Sequence, residues 1–483
     1  MFKEYNQEQR FLLPLSVEDF VGEDHLARII NEVVNRLDLT ELYARYSELG
    51  CSAYHPQLLL KVLFYGYATG ERSSRKIAHR LANDVAYMYL AGMQRPDFRT
   101  INRFRQEHLG LLQGLFVQIV RLCQALGMVR VGLIALDGTK VKANASLRQS
   151  LNQEKLAEGL AEVEEEMQRI FAEATVTDAA EDADEGEDQS GYEVPKELRD
   201  ARSRHERLVQ AQAQLAASGR TQINLTDPEA PLMQPGQQQW QPAYNGQIAV
   251  DAQAGVIVAA TVSTCSVDQE ALPELVNQTI AITGTSPVEV VADAGFASAD
   301  NYLALANQEI TGYIPDAKEV SRQRGTAKHP EFMKQQFTYD KDQDTYRCPQ
   351  GKTLVYHNTQ KNKQGIPIRI YQGVDCPGCA RRSECTKAKY RRISRDPREA
   401  VVQEMRERVN SETGKQRLEL RQWLVEPIFG HFKQNWKYRD FLLRGKTKVT
   451  GEFLLFCIAH NLKKMGKWLC LNRNGSGPML QRA

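Results

Sequence analysis

Two apolar runs of strand length in this chain each end in an aspartate: Gly132-Leu-Ile-Ala-Leu-Asp137 and Val288-Glu-Val-Val-Ala-Asp293. A run buried on both sides that stops at a carboxylate delivers that charge to the lip of a sheet. Between them lie two more strand candidates, Gln247-Ile-Ala-Val-Asp251 and Val256-Ile-Val-Ala-Ala-Thr-Val-Ser263, joined by Ala252-Gln-Ala-Gly255. That spacing is a hairpin signal. Asp251 also ends a strand, but a turn follows at once, so it reads as a turn cap. Helices are expected at 269–283 and 299–307, and a strand at 312–315.

The order is therefore strand, insert, strand, strand, helix, strand, helix, strand. It fits an α/β fold with a ribonuclease-H-like core carrying insertions. The core is expected to occupy 129–145 and 223–320, with helices of 401–470 completing it and a flexible tail at 471–483. Ahead of it, 1–128 read as an all-helical domain. Apolar residues recur at three-to-four spacing in His25-Leu-Ala-Arg-Ile-Ile-Asn-Glu-Val-Val and Gln57-Leu-Leu-Leu-Lys-Val-Leu-Phe-Tyr. Pro56 suits a first helical turn, Ser73 a cap, and Thr100 a cap for a helix starting near Ile101. Arg99, Arg103 and Arg105 lie on or beside that last helix, as in a helix-turn-helix-like unit touching phosphates, or on a basic helix that only packs.

The insert at 146–222 reads as a helical hairpin around an acidic linker at 178–188, where no core can form and disorder is expected. From Glu162 to Asp188 there are 12 acidic residues and one basic one, against a net charge of +2 for all 483 residues. The rest of the chain is then at +13, which suits a polyanion-handling surface with an acidic appendage. The longest apolar runs are strand-sized, so no membrane span is expected. The first fifteen residues lack a signal-peptide core, which points to the cytoplasm.

A pair of divalent cations bridging phosphate oxygens needs carboxylates converging from separate elements. Mg²⁺ (or Mn²⁺) wants such hard oxygen ligands. Asp137 is followed by Gly138-Thr139 and Asp293 by Ala294-Gly295, small neighbours that admit a bulky polyanion. A third carboxylate is available in Arg421-Gln-Trp-Leu-Val-Glu426-Pro-Ile-Phe-Gly-His-Phe-Lys433. Seven residues, about two helical turns, set Glu426 and Lys433 on one face. Pro427 places Glu426 at a helix break or start.

These residues carry a resemblance. The chain resembles bacterial insertion-sequence transposases of the DDE class, close to the insertion-sequence 1182 group. The matching stretches are Tyr54-His-Pro-Gln-Leu-Leu-Leu-Lys, Ser73-Ser-Arg, Leu136-Asp-Gly-Thr-Lys-Val-Lys-Ala-Asn-Ala-Ser, Thr226-Asp-Pro-Glu-Ala, Tyr244-Asn-Gly-Gln-Ile-Ala-Val-Asp, Ala292-Asp-Ala-Gly-Phe, Val425-Glu-Pro-Ile-Phe-Gly and Ala459-His-Asn-Leu. The resemblance implies a catalytic triad of Asp137, Asp293 and Glu426 holding two Mg²⁺ or Mn²⁺ ions. It implies cleavage at transposon inverted repeats, strand transfer into target DNA, and action as a homodimer or higher assembly. Lys433 matches the lysine that follows the Glu in related signatures. The Tyr and Arg of that signature fall on Glu419 and Gln422, with Arg421 displaced by one. Two other readings are a nuclease of the same fold without strand transfer and a catalytically silent DNA-binding derivative.

Four of the nine cysteines cluster in 321–400: Cys348-Pro, Cys376-Pro-Gly-Cys379 and Cys385. Four thiolates suit structural zinc. Metal-free thiols and an iron–sulfur cluster remain alternatives. The other five, at 51, 123, 265, 457 and 470, read as buried thiols. Lys140 and Lys142 are candidate phosphate contacts. From Lys433 to Lys467 nine basic residues, Arg444 among them, are interleaved with Trp436 and Tyr438, a pattern suited to a groove that tracks a nucleic-acid backbone. His460 and Asn461 read as core hydrogen-bonding groups.

Overall fold

The computed structural model describes residues 16–46, 53–184, 196–235, 239–316, 329–361 and 365–472. The chain forms two compact units. The first comprises Met1–Arg130, Gly138–Ser266 and Pro427–Ala483, the second Val131–Asp137 and Val267–Glu426. The architecture is mixed α/β.

Among the described residues the first unit begins with seven α-helices: α1 (Leu26–Arg36), α2 (Thr40–Tyr43), α3 (Pro56–Thr69), α4 (Ser74–Asn83), α5 (Val85–Leu90), α6 (Phe98–Glu107) and α7 (Leu112–Ala125). Pro56 opens α3, where its missing N–H costs nothing, and Gly70 closes it at φ +83°. Ser73 caps α4 by accepting from the Lys76 amide. The cap of α6 differs from expectation: Asp97, not Thr100, accepts the Thr100 amide at 2.7 Å. A carboxylate at the N-cap also meets the helix dipole, so Asp97 wins and the helix starts three residues earlier.

Strand β1 (Leu133–Lys142) runs through both units. After it come the short pair β2 (Ser150–Asn152) and β3 (Gln222–Asn224), from which project helices α8 (Gln153–Asp184) and α9 (Lys196–Ser218). Leu156, Val163, Ala201, Leu208, Ala211 and Leu215 give this hairpin a core of its own, closed by Ile223. The acidic stretch expected to lack structure is helical as far as Asp184, and 185–195 fall outside the described residues. Helix α8 extends because its first half is already nucleated by packing on α9, and adding turns is then cheap.

Next are β4 (Leu232–Met233), β5 (Gln241–Asp251) and β6 (Val256–Ser263), antiparallel neighbours turning at Gly255, φ +70°. Both β5 and β6 are almost wholly buried. They are covered by the last helix of the chain, Lys446–Asn472, which also packs on α3 and α7. Asn461 on that helix clamps Ile257, donating to its carbonyl at 2.8 Å and accepting from its amide at 2.9 Å. Gly246 lies so close beneath the helix that a Cβ there would stand 2.8 Å from the Phe453 ring. Within the apolar run, Glu452 is fully buried. It accepts from the Leu442 and Leu443 amides and faces Arg72 at 3.6 Å. Burial raises its pKa, while Arg105 and Arg72 oppose the rise.

In the second unit the first half of β1 pairs in parallel with β7 (Glu289–Val291), which pairs in parallel with β8 (Thr311–Tyr313). Helix α10 (Ala271–Thr283) precedes β7 and α11 (Ala299–Asn307) precedes β8. A separate antiparallel meander follows: β9 (Thr338–Asp340), β10 (Thr345–Arg347), β11 (Thr353–Lys361), β12 (Pro367–Gly373) and β13 (Arg392–Arg395), with the short helix α12 (Arg382–Cys385) before β13. Helices α13 (Glu399–Asn410) and α14 (Glu412–Gly430) come next, and α13 packs on α11 and β8 through Met405. The last helix, Lys446–Asn472, is α15. Among the described residues no helix is long and apolar enough to cross a membrane.

Candidate active site

The β1–β7 register aligns Leu133 with Glu289, Ile134 with Val290 and Ala135 with Val291. Continuing it by two residues sets Asp137 opposite Asp293, just past the carboxyl end of the parallel β1–β7 pairing, although β1 itself runs on to Lys142. Ligands of open parallel sheets gather at that end. One Nη of Arg421, from α14, stands 2.8 Å from Asp137 and 3.6 Å from Asp293, while its Nε donates to the Leu136 carbonyl at 3.1 Å. Arg421 is 7% exposed. The arginine displaced by one position from the signature thus reaches both aspartates.

Glu426 lies five residues further along α14 and is exposed. The helix does not break there: α14 continues through Pro427 to Gly430. Proline deprives the Trp423 carbonyl of its helical donor, and Trp423 is 74% exposed, so water can serve that carbonyl instead. From His431 to Asn435 the helix is π-helical. The interval to Lys433 is therefore not two regular α-turns, because π-turns are wider. Asp137, Asp293, Arg421 and Glu426 all belong to the second unit.

A further carboxylate, missed in the sequence, adjoins them. A Cβ on Gly295 would lie 2.7 Å from an Asp268 oxygen and 2.9 Å from an Asp293 oxygen. Glycine here makes room for two carboxylates. The Asp293 Oδ1 also accepts the Gly295 amide at 2.8 Å. Asn301 fixes both loops by donating to the carbonyls of Gln269 and Phe296. Asp268 sits in a polar stretch with no strand to announce it, so only the fold reveals it.

The donor set of Asp137 and Asp293 is all oxygen and already holds a cationic group between its members, so hard divalent cations fit it. A second possible ligand group is His329, Glu331 and Glu384, whose ligand atoms lie within 4.8 Å of one another. Arg381 already pairs with both of those carboxylates. The described cysteines are all free thiols. Cys348, Cys376, Cys379 and Cys385 line one cavity. Cys123 and Cys457 are buried as expected, but Cys470 is exposed, Cys265 is half-buried, and Cys51 lies outside the described residues.

Of the expected phosphate contacts, Arg99 and Arg103 are exposed on α6. Arg105 is buried and bonds Tyr67, Asn102 and the Arg72 carbonyl, so it is a packing residue. Lys142 and Arg444 line one open groove of about 570 Å³ in the first unit, beside Trp240, which is 56% exposed. Lys140 is half-buried, 3.5 Å from the Gln234 carbonyl. Lys433 is half-buried in the π-helical turn. The aromatics of the basic tail are not available to bases. Trp436 is 2% exposed and Tyr438 fully buried, stacked on Phe432 and Phe456 respectively. His460 is a core group, 2.9 Å from the Gly255 carbonyl, and burial drives its pKa down to about 3.

Two families of known domains match the chain. The Transposase DDE domain matches residues 347–466, a span that holds the four clustered cysteines, Arg421 and Glu426. The Transposase domain (DUF772) matches residues 15–107, which contain α1 to α6. Asp137 and Asp293 lie outside both spans. No curated protein matches. The chain thus carries a transposase domain ahead of a DDE transposase domain, and the two matches support an insertion-sequence transposase of the DDE class.

Proposed function

We propose that this transposase cuts DNA at the inverted repeats of its element and joins the freed 3′ ends to target DNA at one site. That site is formed by Asp137, Asp293 and Glu426. The observation that carries the reading is the convergence of Asp137 and Asp293, just past the end of the parallel β1–β7 pairing, on the single guanidinium of Arg421. Two carboxylates that share one guanidinium form an all-oxygen set that suits a divalent cation. The sequence of an antiparallel β5–β6 hairpin, then β7 and β8 parallel to β1, supports a ribonuclease-H-like core.

In this reading Asp137, Asp293 and Glu426 hold two Mg²⁺ (or Mn²⁺) ions. Such a pair, when bound, activates water and neutralises charge on the attacking and leaving oxygens of the phosphodiester. Arg421 neutralises the two aspartates before the cations arrive and keeps their carboxylates together. In cleavage, water oxygen bonds to phosphorus and the 3′ oxygen leaves. In joining, that 3′ oxygen attacks a target phosphate and a target oxygen leaves. Each step forms one P–O bond and breaks one, so no energy source is required. Lys142, Arg444, Arg99 and Arg103 bind DNA phosphates, with Lys140 and Lys433 as further contacts, and an assembly of at least two copies holds the two ends. Work on chromosomal DNA implies a cytoplasmic, nucleoid-associated protein.

The test is an end-cleavage and strand-joining assay on a labelled duplex carrying the element's end, with Mg²⁺. Wild type is compared with Asp137→Asn, Asp293→Asn and Glu426→Gln. Wild type should nick and join, while each variant binds the duplex and does neither. Cleavage by Glu426→Gln at the wild-type rate would remove Glu426 from the site. Cleavage without joining by wild type would reduce the activity to that of a nuclease.

A further inference from the structure

We infer that Cys348, Cys376, Cys379 and Cys385 hold one structural zinc ion that completes the fold of the β9–β13 module. This stands apart from the transposition chemistry and does not depend on it. The four thiols come from three places: the turn after β10, the loop after β12, and α12. They line one cavity of about 30 Å³, room for a single water-sized body.

The surroundings fit thiolate ligands. The Lys352 amide donates to Cys348 Sγ at 3.3 Å and the Arg391 amide to Cys376 Sγ at 3.4 Å. Amides aimed at sulfur favour its anionic form. A Cβ on Gly373 would overlap Cys376 Sγ, so the sulfur occupies the space a side chain would take. Tight turns present the ligands: the Cys348 carbonyl accepts the Gly351 amide at 2.8 Å, and that of Cys376 accepts the Cys379 amide at 3.1 Å. Four thiolates around Zn²⁺ leave two negative charges; Lys352, Arg382 and Arg391 line the same cavity with one carboxylate, Asp375, which pairs with Lys352, so two positive charges are left to offset them. Soft sulfur donors select zinc over the hard cations suited to carboxylates.

The module also needs such a staple. Its own core is five buried residues, Phe337, Tyr346, Leu354, Tyr371 and Ile393, against which Cys348 and Cys385 pack. So small a core seldom holds a sheet without a metal or cross-link. The one group of three ligand atoms within 4.8 Å among the described residues is His329, Glu331 and Glu384, which Arg381 already neutralises. No three of the four sulfurs lie that close, so rotation of the cysteine side chains would bring them to the ion, each thiol releasing its proton to solvent.

The test is metal analysis of the full chain, purified without chelator from zinc-supplemented culture, beside a Cys379→Ser/Cys385→Ser double variant. Wild type should carry about one zinc per chain and no iron, and the double variant should lose most of it. Because the double variant could misfold, wild type is also stripped of metal and titrated with Co²⁺. A thiolate-to-cobalt charge-transfer band at one equivalent supports the site. Folded wild type with no zinc and no cobalt band overturns it, as does wild type carrying iron and sulfide.

Discussion

Arg421 is the residue on which the proposed site turns. Its guanidinium lies against both Asp137 and Asp293, where in the proposed reading a divalent cation would bind. Replacing it with glutamine leaves two carboxylates without a counter-charge, and also without a competitor for metal. Arg421→Gln should therefore melt lower than wild type without Mg²⁺ and show the larger rise in Tm when Mg²⁺ is added. DNA cleavage should fall about 10–100-fold, the usual cost of losing a group that orients metal ligands. Equal Mg²⁺-induced rises in the two proteins would show that Arg421 does not compete at the metal position. His460 gives a second residue-scale expectation. Its pKa is about 3 in the fold against 6.5 ordinarily, because burial disfavours the charged ring; Lys464, His431 and Lys463 add to this, and the Gly255 carbonyl opposes it. The unfolded chain takes up the proton first, so the stabilisation is complete above pH 6.5 and is lost as pH falls toward 3, a matter of a few kcal/mol. Unfolding titrations should show His460→Gln losing less stability than wild type between pH 6.5 and 4; parallel losses would exclude His460 as the source. At this scale the aspartates were legible because each ends an apolar run. Arg421 was not, since its partners are contributed by β1 and the loop after β7, far away in sequence. Trp436 and Tyr438 were misread because charge interleaving does not reveal which side chains stack on Phe432 and Phe456.

Elements were read well where one periodicity ruled. The strand Val256–Ser263 and the helix Ala299–Asn307 fall where their patterns put them. The misses have local causes. β1 extends to Lys142 because its neighbours go on pairing with it past Asp137: the Ala143 amide bonds the Pro242 carbonyl and the Lys142 amide the Arg439 carbonyl. No hydropathy pattern marks that extension. Gly246, mid-strand in β5, looks like a weak point by propensity, and alanine there would ordinarily be an improvement. The packing of α15 reverses the sign. A methyl at 246 would sit 2.8–2.9 Å from ring carbons of Phe453, a side chain locked in the core. Gly246→Ala should cost ~1–3 kcal/mol in denaturant unfolding, as overpacking does. Phe453→Leu should recover part of that loss in the double variant, because the two sites share one contact. Additive losses would mean that the glycine serves some other purpose than clearance for that ring.

At the scale of the molecule, the chain passes between its two units at residues 130–131, 137–138, 266–267 and 426–427. Sequence alone gave no sign of this, because strand β1 and helix α14 each continue unbroken across a boundary. The α8–α9 hairpin is different: its beginning and end are neighbours. Asn152 pairs with Gln222 across β2 and β3, and the apolar groups between the helices are satisfied by one another. Neither matched transposase family reaches it. A hairpin closed at its base and carrying its own core adds little to the folding of what it projects from, and joining Asn152 to Gln222 through Asn-Gly gives a two-residue turn suited to antiparallel strands. Deleting 153–221 in this way should leave a protein that unfolds cooperatively within a few degrees of the full chain. Only Leu151, Ile223 and Leu225 lose packing partners in the hairpin core. Changing those three to Thr should correct any loss of solubility. The same deletion removes 18 acidic residues against 8 basic ones, a net charge of −10, so the shortened chain should bind duplex DNA more tightly at low salt, with the difference fading as salt screens it. Thermal unfolding and a salt series of duplex binding decide the matter. A shortened chain that is collapsed or aggregated even with the three Thr changes would make the hairpin part of the folding core. Unchanged affinity at low salt would show that its negative charge does not face the DNA.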